Sequence, residues 1–103
     1  MTDDVRVHLE ALSRYADAAD ELAGRFGGVR RMLADADVTA DSFGLLSESR
    51  EAERVYERRC GDGLDVLTAG EDVFGDLAVG FRQMRDNYRA SDERSARRLD
   101  GTR

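Results

Sequence analysis

"CGDGLDVLTAGEDVFGDLAVGFRQMRDNY", residues 60–88, decides the fold. Its apolar stripe runs through Cys60, Leu64, Leu67, Phe74, Leu77/Ala78, Phe81, Met84 and Tyr88. With Gly70 counted between Leu67 and Phe74, they recur at a mean step of about 3.5 residues, the period of a left-handed helix-bundle seam. Gly70 stands on the same seam, where it can let two helix backbones approach closely. Traced backward, the stripe continues through Tyr56/Val55 to Ala52. Ser47 is a natural N-cap, and Glu48 and Glu51 favour the positive end of the helix dipole. These signals predict a helix over about residues 48–98, with a short disordered C-terminal tail after it. The Gly61-Asp62-Gly63 step is its weakest point, and a disturbed turn is expected there.

The first half of the chain carries the matching element. Val5, Leu9, Leu12, Tyr15/Ala16, Ala19, Leu22/Ala23, Phe26, Val29 and Leu33 fall on one helical face in steps of three and four. Thr2 or Asp3 can cap the start, and Asp3 and Asp4 suit its first turn. Glu10/Arg14 and Glu21/Arg25 stand one turn apart on the polar side. The predicted helix covers about residues 4–36. The segment 37–47, rich in Asp, Thr and Ser, breaks the period. Within it Phe43 and Gly44 mark a turn, and Phe43, Leu45 and Leu46 can plug the end of a helix pair.

The fold class that follows is all-α: an antiparallel helix-turn-helix hairpin, one domain over residues 1–103. A hairpin has one seam and leaves apolar flank uncovered, so two hairpins are expected to dimerise into a four-helix bundle. The core of that bundle would be Leu9, Leu12, Leu22, Phe26, Leu64, Leu67, Phe74, Leu77, Phe81 and Met84. Eight glycines fall inside the two helices, each costing about 1 kcal/mol against alanine. Packing rather than intrinsic propensity must therefore hold them.

Composition narrows the function. The net charge is -6, and all 16 basic residues are arginine. An acidic chain is a poor ligand for nucleic acid, which needs a positive footprint. A local cluster at Arg94, Arg97 and Arg98 is the one feature pointing the other way. No apolar run is long enough for a transmembrane segment. The acidic start, MTDDVRVHLEALSRY, does not read as a Sec-type signal peptide. Cys60, the one cysteine, cannot form an intramolecular disulfide. His8 is the one histidine, best read as a surface or edge residue. No metal-ligand spacing, nucleophile elbow, P-loop or GxGxxG occurs. We therefore expect no catalytic residues, no metal and no cofactor.

One short element remains. In "NYRASDERSARRL", residues 87–99, Tyr88 and Asp92 lie one helical turn apart on one face, just where the apolar stripe ends. Read by spacing alone, this is a fraying helix end whose last aromatic is core. A hairpin of about 100 residues with a mid-chain glycine turn and Tyr-x-x-x-Asp after the second helix's core resembles the WXG superfamily of type VII (ESX) secretion substrates. The W-x-G turn is not retained. Here the region reads Ser42-Phe43-Gly44-Leu45-Leu46, keeping the glycine and an adjacent aromatic. With "GLDVLTAGEDVFGDLAVGFRQMRDNYRASDERSARRLDG", residues 63–101, this looks more like the EspC-like excreted proteins of actinobacteria.

The resemblance implies a secretion signal at Tyr88 and Asp92, read by the membrane-anchored ATPase of the type VII system. It implies a non-enzymatic protein, made in the cytoplasm and secreted as a folded helical dimer without a Sec-type signal peptide. Its partner would be a second copy, a related small helical protein, or the N-terminal helical region of a larger effector or toxin that it escorts. A helix end protruding beyond the bundle would present Tyr88 and Asp92 to the reader. The competing expectation is a cytosolic helical adaptor or toxin-neutralising module. It would use the same dimer face and need neither residue.

Overall fold

The structure, a computed structural model, describes residues 2–36 and 47–101. It contains two helices, α1 (Asp3–Asp35) and α2 (Ser47–Gly101). Among the described residues all but Thr2 and Ala36 are helical, and there is no strand. The all-α hairpin expected from the periodicity is the fold observed. The turn residues Phe43 and Gly44 lie outside the described residues, as does the Ser47 side chain.

The start of α1 is set by its cap. The Thr2 hydroxyl accepts the Val5 backbone N–H at 3.3 Å, and the Thr2 carbonyl accepts the Arg6 N–H at 3.1 Å. That satisfies donors which a bare helix end leaves unpaired. Asp3 and Asp4 fill the first turn, and Arg6 reaches back to Asp3 at 3.5 Å. The far end of α1 has no basic residue in its last turn, whereas α2 ends with Arg98 there. α2 runs on to Gly101, three residues past the point at which the apolar stripe predicts its end. It is also helical throughout Gly61-Asp62-Gly63, so the expected disturbed turn makes no break. The open Cβ position of Gly63 lies 3.5 Å from Leu33 Cδ2, while that of Gly61 meets nothing within 4 Å.

The chain forms two compact units. The first combines Met1–Leu22 with Val73–Arg103, and the second is Ala23–Asp72. In the first unit, His8 meets Tyr88 and Tyr15 meets Phe81, with ring centroids 5.9 and 5.7 Å apart. A step of seven forward along α1 is matched by seven backward along α2. That is an antiparallel pairing with the heptad spacing which the 3.5-residue period implies. The side chains most fully buried here are Leu9, Ala16, Ala19 and Ala78. Three of the four are alanines, so small residues occupy the middle of the seam and larger ones form its rim.

The second unit keeps the same spacing, with Phe26 against Gly70 and Leu33 beside Gly63. A Cβ on Gly70 would sit 2.6 Å from Phe26 Cδ1 and Cε1. The space at Gly70 is thus taken by a ring lying on the α2 backbone. Gly27 is buried, and a Cβ there would come within 3.0 Å of the Glu71 carboxylate. That carboxylate accepts from Arg30 Nε at 3.1 Å, across the two helices.

The residues assigned to a bundle core are not equally covered within one chain. Leu9 is buried, and Leu12, Phe26, Leu64, Leu67, Phe74 and Phe81 are half-buried. Leu22, Leu77 and Met84 are exposed, at 37%, 43% and 55%. A pair of helices can cover one stripe on each, and these three stand on the flank of theirs. No described helix is long and apolar enough to cross a membrane.

Candidate recognition site

The first unit carries the residues of the Tyr-x-x-x-Asp element. Tyr88 is 41% exposed, so its ring is shared between packing and solvent. On its inner side it meets His8 on α1, with the two ring planes at 82° in a T-shaped contact. The Tyr88 hydroxyl and His8 Nδ1 lie 3.4 Å apart, a long polar contact. Tyr88 is therefore packed beside α1, not on a helix end protruding beyond it. The heptad register explains this: α1 starts at Asp3, and its first turns lie alongside the stretch of α2 that holds the element.

Asp92, one turn further along α2, is half-buried. Val5 of α1 joins Tyr88, Ser91, Asp92 and Ser95 of α2 around a shallow groove of about 200 Å³. The tyrosine and the carboxylate thus share one concave surface with an apolar wall from the other helix. Among the described residues Asp92 makes no ion pair. Leu99, on the same stretch of α2, is 66% exposed.

The turns of the first unit nearest the element are held by arginines. Arg85 donates from Nε to Asp86 Oδ1 at 3.0 Å and from Nη1 to Ser13 Oγ at 3.2 Å. Arg82 bridges Asp17, at 3.2 Å, and Asp20 on α1. The hydrogen bond to Asp20 is the chief reason that the Arg82 guanidinium is held above its ordinary pKa, against a smaller opposing effect of desolvation. The bonds from Arg82 to Asp17 and Asp20 and from Arg85 to Ser13 join α2 to α1 in the turns beside the element. No local pattern in the sequence signals the cross-helix bonds, because Arg82 and Arg85 stand more than 60 residues from the partners they reach on α1.

A second groove of about 500 Å³ in this unit is lined by Arg6, Leu9, Glu10, Ser13, Arg14 and Arg89. A third, of about 350 Å³, runs along α2 beside Val73, Asp76, Leu77, Gly80, Phe81 and Met84. Among the described residues no group of three or more His, Cys, Asp or Glu is placed to hold a metal ion. Cys60 is a half-buried free thiol in the second unit. No protein-family model, no curated protein and no solved structure matches this chain.

Proposed function

We propose that this protein is a non-enzymatic substrate or targeting partner of a type VII (ESX-like) secretion system, of the WXG superfamily and its EspC-like branch. It is made in the cytoplasm and exported as a folded helical dimer, in which two hairpins form a four-helix bundle. It pairs with a second copy or a related helical protein, or escorts a larger effector or toxin. The reading rests on one observation above the others: Tyr88 and Asp92 line the same groove, with the ring partly exposed and the carboxylate in no ion pair among the described residues. A rigid aromatic gives a large contact at low entropic cost, and a carboxylate beside it gives an orienting charge. The secretion ATPase would read both.

The test is export. Wild type, Tyr88→Ala and Asp92→Ala are expressed in a host with an active type VII system, and culture supernatant is compared with lysate. Circular dichroism checks that each remains helical. Wild type alone in the supernatant is the expected outcome. Equal export of all three, or retention of all three, removes the reading. A cytosolic adaptor is then the better account, favoured by the exposed flank of Val73, Leu77 and Met84, which needs neither residue.

A further inference from the structure

The Tyr-x-x-x-Asp element is a linear pattern, yet its groove is not made by one helix. Val5 supplies a wall from α1, and His8 supplies the ring against which Tyr88 rests. The groove, at about 200 Å³, is smaller than the roughly 300 Å³ at which small-molecule sites begin. It fits one side chain of a partner. Its polar groups are one carboxylate, one phenol and two serine hydroxyls. A carboxylate that makes no ion pair among the described residues, beside an aromatic ring, selects a cation. The apolar wall of Val5 suits the methylene stem that carries such a cation.

We propose that the recognition surface is composite: both helices build it, it takes one arginine or lysine side chain of the reader, and His8 is the positioning residue that holds Tyr88 in place for that contact. This rests on the export reading above. The edge-to-face contact is the stronger restraint on the Tyr88 ring, since the 3.4 Å polar contact lies at the long end of hydrogen bonding. Without His8, the Tyr88 side chain is free to rotate over solvent, and Asp92 loses one side of its groove.

The experiment uses the full chain in a host with an active type VII system, with wild type and Tyr88→Ala as the two references. Three further variants are His8→Ala, His8→Phe and Asp92→Asn, each checked for helicity by circular dichroism. His8→Ala is expected to lower the exported fraction about fivefold, and His8→Phe, which keeps a ring edge against Tyr88, to restore most of it. Asp92→Asn keeps the shape and removes the charge, and is expected to lower export about tenfold. In parallel, the Tyr88 ring resonances, assigned by difference against Tyr88→Phe, are expected to move toward those of a free tyrosine in His8→Ala and to stay dispersed in His8→Phe. Wild-type export of folded His8→Ala, with Tyr88→Ala retained in cells, overturns the positioning role and leaves the export reading standing. Wild-type export of Asp92→Asn overturns the cationic partner. Wild-type export of Tyr88→Ala overturns the export reading and this inference with it.

Discussion

Gly70 and Gly24 are the same residue type in the same kind of helix, with opposite consequences. At Gly70 a Cβ would collide with the Phe26 ring at 2.6 Å, while at Gly24 it would meet nothing within 4 Å. Gly70→Ala is therefore expected to destabilise the protein by about 1–3 kcal/mol through overpacking. Gly24→Ala should stabilise it by about 1 kcal/mol, through helix propensity alone. Thermal unfolding followed by circular dichroism measures both. Thr2→Ala removes the side-chain acceptor of the Val5 N–H and should cost about 1 kcal/mol in the same assay. The sequence marks Thr2 as a cap and Gly70 as a seam position. It does not show that a ring rather than a backbone fills the space at Gly70, because that depends on a residue 44 positions away.

At the scale of the helices, period and caps account for most of what is observed. α1 spans Asp3–Asp35 against an expected 4–36, and α2 spans Ser47–Gly101 against an expected 48–98. The added length at the end of α2 carries no apolar stripe, and stripe spacing is what the expectation used. The last turn of α2 has Arg98 to complement the dipole, which helps a polar segment stay helical. Neither helix is strong alone, since each has several glycines and a mostly polar surface. A peptide of residues 2–36 is expected to be less than about half helical in water, by circular dichroism, although the same residues are helical in the whole chain.

Pairing between helices adds polar detail at this scale. The pair Arg30–Glu71 is about one-third exposed on both sides, and Arg30→Ala should cost no more than about 1 kcal/mol. Arg82 gives a sign for pH dependence. A cation whose pKa is raised on folding stabilises the fold at every pH below its unfolded value, and that contribution is lost only as pH rises through the folded one. For a guanidinium both values lie far above neutral. The difference in melting temperature between wild type and Arg82→Gln should thus hold steady from about pH 7 to about pH 10.

At the scale of the molecule, α2 leaves an apolar flank exposed. Val73, Leu77 and Met84 stand open beside a groove of about 350 Å³. If two hairpins close over this flank, as proposed, the protein sediments at twice its chain mass of 11.5 kDa. Met84→Glu, which places a charge within that interface, is then expected to return it to the mass of one chain while it stays helical. A wild type that sediments as one chain at micromolar concentration would count against the bundle.

The candidate site divides along the same line. By itself the sequence determined that the protein is helical, where its two helices run, and which faces are apolar, because these depend on periods and caps that a few neighbouring residues carry. It also placed Tyr88 and Asp92 one turn apart on a common face. Only the tertiary structure decided that Tyr88 rests against His8, that Val5 completes the groove at Asp92, and that Arg82 and Arg85 hold α2 to α1 beside them. Those contacts join residues more than 60 positions apart. They follow from the register in which two long helices meet, and no local pattern in either helix sets that register.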